Sequence, residues 1–365
     1  MKRQYRALQG AIDERMQRVL EHGRFILGPE VEEVEGLLAA YAGSRYALTC
    51  ASGTDALLLA LMALGIAPGD EVITPAFSFV ASAEVVALLR AVPVFVDIDP
   101  RTYNLDPAAL EPAITSRTKA VVAVSLYGQC ADMDAVGRIA ARHGLAVIED
   151  AAQSFGATYK GRHSCHLSAL GCTSFFPSKP LGCYGDGGAC FTDDPRLFAR
   201  LQQVRNHGQE GRYRHTVLGI NGRFDTLQAA VLLAKLEVFP AEVAARQAAA
   251  ARYDQLLGGA VLTPYIEPHN ASVYAQYTIE VEDRNTVQEA LQTRGIPTAV
   301  HYPEPLHRQP VFASLGYREG SLPHSEAAAR RVLSLPMHAY LTAAEQEEIA
   351  RAVTAATRAA NRVSE

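Results

Sequence analysis

Between residues 71 and 150 the chain repeats one pattern: a short, unbroken apolar run, a helix-length segment, then another apolar run. The runs cover residues 71–74, 92–96, 120–125 and 145–149. A strand with one wet face alternates apolar and polar residues, whereas a run that does not alternate is covered on both faces. Residues 82–90 and 131–143 have helical length and spacing between the runs. Strands separated by helices in this way predict an α/β fold with a mostly parallel sheet. Ligands of such sheets bind beyond the carboxyl ends of the strands, where this chain places Asp97 and Asp150.

The flanks add helices. Residues 11–22 and 29–42 carry helical apolar spacing, the second segment starting at Gly28-Pro29 with acidic residues in its first turn. Ser52-Gly53-Thr54-Asp55 opens an Ala/Leu-rich helix that ends near Gly65. Composition changes after about Lys235. Residues 241–257 predict a long Ala/Glu/Arg-rich helix, 273–281 alternate like a half-exposed strand, and 345–358 form an amphipathic closing helix. We expect two domains in the 365 residues: a large α/β domain with N-terminal helices over 1–235, and a smaller α+β domain over 236–365.

Bulk properties exclude several functions. A net charge of −5 gives no electrostatic footprint for nucleic acid. No apolar run reaches the roughly 18 residues that span a bilayer, and no apolar signal core follows the basic start. The six cysteines form no CxxC pair and no zinc-type spacing, which predicts reduced thiols in a cytoplasmic protein. His163 and His166 flank Cys165 without further ligands at a plausible spacing, so no metal site is expected. Gly185-Asp186-Gly187-Gly188 fails the GxGxxG spacing of a dinucleotide fingerprint.

Lys179 is the main candidate for chemistry. It lies in Ser174-Phe175-Phe176-Pro177-Ser178-Lys179-Pro180-Leu181-Gly182, among apolar residues, prolines and glycines. A lysine held in a dry, rigid setting titrates low, and its neutral amine can form a Schiff base with a carbonyl. The plainer reading is a lysine in a surface loop. Asp150 closes an apolar strand where a ligand would bind; facing a pyridine nitrogen, it would keep that nitrogen protonated. It is equally placed to cap a helix. Ser52-Gly53-Thr54 presents a helix N-terminus that suits a phosphate, or is an ordinary N-cap. Phe77, just past a strand, would stack on a flat ring or fill the core. Ser174 is placed to donate to the same phosphate. Asn221 and Arg223 lie in a Gly-rich turn and read as turn chemistry or as anion ligands.

Together these pieces resemble one family. The elements are Ser52-Gly53-Thr54, Pro75-Ala76-Phe77, Glu149-Asp150-Ala151-Ala152-Gln153, the Ser174–Lys179 stretch, Gly185-Asp186-Gly187-Gly188 and Asn221-x-Arg223-x-Asp225-x-x-Gln228-Ala229-Ala230. His301-Tyr302-Pro303, Leu306-His307 and Leu335-Pro336-Met337 follow in the C-terminal part. In order and spacing this set is similar to the DegT/DnrJ/StrS family of pyridoxal-phosphate-dependent nucleotide-sugar aminotransferases. The resemblance implies a fold-type-I, aspartate-aminotransferase-like architecture and a homodimer with shared active sites. It implies Lys179 as the Schiff-base lysine, Asp150 at the pyridine nitrogen, Gln153 near the ring and Phe77 stacked on it. Gly53, Thr54 and Ser174 would hold the phosphate, with Asn221 reaching in from the neighbouring subunit. The family's dehydratases carry histidine where this chain has Lys179, which favours amino transfer. Two departures are Ser178, where many members have glycine, and Pro180, in place of a frequent asparagine.

The stretches 124–129 and 178–184 look most like the branch that aminates carbon 3 of UDP-2-acetamido-2-deoxy-3-oxo-D-glucuronate for surface polysaccharide, with L-glutamate as the implied donor. Arg223 is the first choice for the uronate carboxylate, because a guanidinium engages it bidentately. His301 and His307 are further candidates for substrate contact. The alternatives are a dTDP-linked 3-keto or 4-keto deoxyhexose as acceptor, a dehydratase, or a cofactor-binding regulator.

Overall fold

A computed structural model describes residues 2–363. The N-terminal part contains α1 (Lys2–His22), α2 (Pro29–Ala42), β1 (Tyr46–Cys50), α3 (Gly53–Ala63), β2 (Glu71–Pro75), α4 (Ala81–Leu88) and β3 (Val92–Val96). A short α5 (Pro107–Leu110) leads to β4 (Thr118–Val124), α6 (Met133–Arg142) and β5 (Ala146–Asp150). The two-residue strands β6 (Thr158–Tyr159) and β7 (Arg162–His163) precede β8 (Leu170–Ser174), β9 (Gly188–Thr192) and α7 (Pro195–Arg205). A small hairpin, β10 (Gln209–Gly211) and β11 (Arg214–His215), is followed by α8 (Thr226–Leu236) and α9 (Phe239–Leu257). The chain ends with β12 (Asn270–Ala271), β13 (Tyr277–Glu280), α10 (Arg284–Thr293), α11 (Pro323–Arg331), β14 (Val332–Leu335) and α12 (Ala343–Val363).

Seven strands make the central sheet in the order β1-β9-β8-β5-β4-β2-β3. The pairs β2–β3, β2–β4, β4–β5 and β5–β8 are parallel, and β9 runs antiparallel to both β8 and β1. Only β9 is reversed, so the carboxyl ends of the other six strands share one edge.

The unbroken apolar runs have the cause expected of them. Val121, Ala123 and Val147 face a core built with α2, α6 and α8. Their neighbours Ala120, Val122 and Ile148 face a second core built with α3, α4 and α7. Each strand spends alternate residues on two dry faces, so the mid-strand positions on both faces are apolar. The same alternation puts Glu149 and Asp150 on opposite faces. A third core joins α9, α10 and α12 to the β13–β14 pair. Helix α9 reaches both ends, with Phe239 and Val243 in the first core and Tyr253 and Leu257 in the third.

Several elements had no signature of their own. Strands β8 (Leu-Gly-Cys-Thr-Ser) and β9 (Gly-Ala-Cys-Phe-Thr) are short and rich in small residues. They are placed by neighbours, not by propensity. The expected strand over 273–281 narrows to β13, and the closing helix extends over α12. All six cysteines are buried free thiols.

Two glycines set the spacing at the carboxyl edge. A Cβ on Gly53 would lie 2.6 Å from the Ser174 Cβ, and one on Gly188 would lie 2.4 Å from the Ser52 carbonyl oxygen. The start of α3 can therefore rest directly on the ends of β8 and β9. Gly188→Ala is expected to lower stability by roughly 1–3 kcal/mol through overpacking against backbone that cannot yield, measured as a lower denaturant midpoint at unchanged m.

Candidate active site

A cavity of about 480 Å³ lies at the shared carboxyl edge. Five strands feed it. Ser52, Gly53 and Thr54 follow β1, and Ser78 and Phe79 follow β2. Val124, Asp150 and Ser174 end β4, β5 and β8. The loop from β8 back to the reversed β9 supplies Ser178 and Lys179, and the C-terminal part supplies Gln276, His301 and Tyr302.

The phosphate-sized end is the start of α3. Ser52 is its N-cap, its hydroxyl accepting from the Asp55 amide at 3.0 Å. The N–H groups of the first turn and the helix dipole favour an anion there. The Ser174 hydroxyl stands against Gly53 and accepts from the Phe176 amide at 3.2 Å.

The reactive end is held rigidly. The Lys179 loop is closed by backbone bonds from Lys179 to Phe176 (2.8 Å), Phe175 to Gly187 (2.7 Å) and Cys183 to Phe175 (2.8 Å). The buried Lys235 ammonium donates to the Gly182 carbonyl and lies 4.2 Å from the Tyr184 ring centroid. Burial lowers the Lys179 pKa, opposed by the negative charge of Asp150. Burial raises that of Asp150, opposed by the Ala152 amide and by Lys179. Each group is the other's counter-charge in a dry site.

Gln153 is fixed through both ends of its amide. Its oxygen accepts from the Tyr127 amide at 2.8 Å and its nitrogen donates to the Tyr302 hydroxyl at 3.0 Å. The Tyr127 hydroxyl in turn donates to the His301 carbonyl. The His301 ring nitrogen Nδ1 meets Ser334 Oγ at 3.0 Å, and burial, with the charge of Lys179, holds its pKa below the ordinary value. The side-chain oxygen of Gln276 is buried at the cavity wall without a hydrogen-bond partner.

The cavity thus brings together Gly53, Thr54, Asp150, Gln153, Ser174, Lys179 and His301. Two expected residues lie elsewhere. Phe77 is fully buried among Ile98, Tyr103, Val124 and Leu126, beneath the cavity. The aromatic that lines the cavity is Phe79, 53% exposed and 6.1 Å from the Tyr302 ring. Two phenylalanines one residue apart after a strand look alike in sequence, and the turn sends one inward. His307 is also corrected. It is buried in a short 3-10 turn, its Nε2 3.0 Å from Glu326 and its ring beside Tyr317, away from the cavity lining. Asn221 and Arg223 are not among the residues lining this chain's own cavity; Arg223 donates to Asn206 at 2.9 Å and its Nε has no partner. Ser78, Asp186, Gln276 and Tyr302 line the cavity without having been singled out as site residues. Tyr302 stood beside His301 in sequence, whereas Gln276 had no local signal.

A profile of the DegT/DnrJ/EryC1/StrS aminotransferases matches residues 7–354. The chain belongs to the DegT/DnrJ/EryC1/StrS aminotransferase family. It is 58% identical over 355 residues to the UDP-2-acetamido-2-deoxy-3-oxo-D-glucuronate aminotransferase of Pseudomonas aeruginosa, covering 97% of this chain and 98% of that one. Its structure is similar to that of DesV from S. venezuelae in complex with a ketimine intermediate. That pair has a TM-score of 0.95 and 42% identity, over 97% of this chain and 96% of the other. It is also similar to the PLP form of a sugar aminotransferase from Streptococcus pneumoniae, with a TM-score of 0.91 and 26% identity, over 96% of each chain.

As in this family, the cofactor is pyridoxal phosphate. The donor set fits it, with N–H groups and a hydroxyl at one end, a buried carboxylate and an aromatic in the middle, and a low-titrating amine at the other end.

Two outcomes follow from this geometry. Phe79→Ala is expected to weaken cofactor retention with little change in stability. Phe77→Ala is expected to cost about 3–5 kcal/mol of stability by leaving a core cavity; cofactor titration and denaturant melts separate the two. Asp150→Asn removes the charge that holds the Lys179 pKa up. In cofactor-free protein, the pH at which an amine reagent labels Lys179 should therefore move lower, read by peptide mass spectrometry.

Proposed function

We propose that this aminotransferase moves the amino group of L-glutamate to carbon 3 of UDP-2-acetamido-2-deoxy-3-oxo-D-glucuronate, supplying a 3-amino sugar for surface polysaccharide. The observation that carries the reading is the 58% identity, along nearly all of both chains, to the Pseudomonas aeruginosa enzyme of that name. The cavity supports it with a single partly buried lysine facing a buried carboxylate.

Bound pyridoxal phosphate supplies the electron sink for the carbanion. The protein does the rest. Lys179 would be the residue that binds the cofactor through its amine and that an incoming donor amine would release. With the cofactor bound, the Lys179 amine would take the proton from the donor's α-carbon and deliver it to the cofactor's former aldehyde carbon. The same amine reverses these transfers on the keto sugar. Asp150 keeps the ring nitrogen protonated through a charge-assisted hydrogen bond. Gln153, fixed by Tyr127 and Tyr302, would hold the ring, and Phe79 would stack on it. Gly53, Thr54 and Ser174 anchor the phosphate.

Asn221 and Arg223 belong, on this reading, to the cavity of a second copy in a homodimer with shared active sites. Their absence from the lining of their own cavity supports this, as does the unpartnered Arg223 Nε. Exposed Phe25, Ile26 and Phe176 offer apolar area for such a contact. We take residues 1–235 as the unit that holds the cofactor and 236–365 as the smaller unit that closes over it with His301 and Tyr302. Among the described residues no helix is long and apolar enough to cross a membrane, and a cytoplasmic setting suits reduced thiols and a nucleotide-sugar substrate.

Arg223 is the proposed reader of the uronate carboxylate. Arg223→Ala should lower kcat/KM for the uronate on the order of 10²-fold, as expected for truncating one partner of a buried charge pair. An uncharged keto hexose should lose far less. Equal loss on both acceptors in a coupled assay removes the carboxylate role.

A further inference from the structure

A second cavity, of about 340 Å³, shares a wall with the first: Ser178 and Lys179 line both. Its volume is within the roughly 300–1,000 Å³ of small-molecule sites. Its other walls come from the start of α1, from α9, and from residues 337–340 after β14. Arg246 of α9 is 8% exposed and contributes to this wall. Its Nη1 reaches only the carbonyls of Tyr274 at 3.3 Å and Met337 at 3.5 Å, and its Nε has no partner. A nearly buried guanidinium with unspent donors is costly unless a ligand takes them up.

The one carboxylate in the lining, Glu242, supports the Arg246 charge without a hydrogen bond to it. Glu242 is taken up by Gln4, at 2.9 and 2.8 Å, and by the Tyr340 hydroxyl at 2.8 Å. Lys2 and Arg3 add positive charge; Arg3 is paired with Glu345, while Lys2 makes no ion pair among the described residues. Burial and the charge of Arg246 hold the His338 pKa below its ordinary value. The cavity is therefore net cationic, with a planar fork at its centre that suits a carboxylate.

We propose that this cavity is a carboxylate subsite for the small dicarboxylate amino donor and its keto-acid product, gripped by Arg246. The inference rests on the amino-transfer reading, which requires a small anionic substrate to share Lys179 with a much larger sugar nucleotide. Two half-reactions at one lysine can use different subsites for their distal groups.

The test uses the holoenzyme and follows the two half-reactions separately by cofactor absorbance. Arg246→Met should raise the L-glutamate concentration for half-maximal conversion tenfold or more and change the keto-sugar half-reaction by less than twofold. Arg246→Lys should fall between wild type and Arg246→Met. Glutarate, which cannot react, should bind wild type by calorimetry and not Arg246→Met. A merely structural arginine would lower both half-reactions together, with the melting temperature, and that result overturns the proposal. So does glutarate binding that is unchanged in Arg246→Met. If wild type ignores L-glutamate altogether, the donor reading fails, and glutarate binding still decides this site.

Discussion

The mutual compensation of Asp150 and Lys179 is the interaction around which this molecule is organised. Each is a charge taken out of water, and each shifts toward its neutral form under burial while the other opposes the shift. Among the described residues, each is the opposite charge that supports the other. Keeping the two in register requires two strand ends to be fixed relative to one another. The parallel pairing of β5 with β8 does that at Asp150 opposite Cys172. The closed loop after β8 carries the lysine back over the sheet edge. The reversal of β9 is what makes that return possible, since the strand after the loop must re-enter the sheet from the same edge.

The neighbouring residue shows how the sheet isolates this chemistry. Glu149 is fully buried on the opposite face, its pKa pushed up to about 7 by desolvation. It accepts from the Ser164 hydroxyl at 2.7 Å and the Cys165 amide at 2.9 Å, and Ser164 also meets Ser154. It thus pins the 151–165 segment, on which Gln153 sits, to the back of the sheet. Two adjacent carboxyls have separate tasks because a strand turns them to opposite sides.

Much of this was legible in sequence. The unbroken apolar runs announced buried parallel strands because two dry faces ask for apolar residues on both sides of a strand. The structure brings the expected Lys179, Asp150 and Ser174 to one cavity, because strand ends and the loops that follow them meet at the carboxyl edge of such folds. Phe77 was misread because burial of one of two nearby aromatics is decided by the turn that follows β2, which no local pattern reveals. His307 was misread because its partner, Glu326, is nineteen residues away on α11. Gln276 and Arg246 gave no signal, since each matters only through a cavity wall assembled from distant segments.

The contact between Gly53 and Ser174 has a consequence for how such a molecule can change. The proposed anchor for the cofactor's phosphate is the meeting of a helix start with a strand end, packed so closely that no side chain fits between them. It is inherited together with the sheet and cannot be retuned without unsettling the core. On the proposed reading, the freedom to accept a different sugar is confined to the periphery, in the turn around residues 221–223 and the stretch around 276 and 301–302. Those segments can vary in shape and charge while the fixed point of the reaction stays where the fold put it.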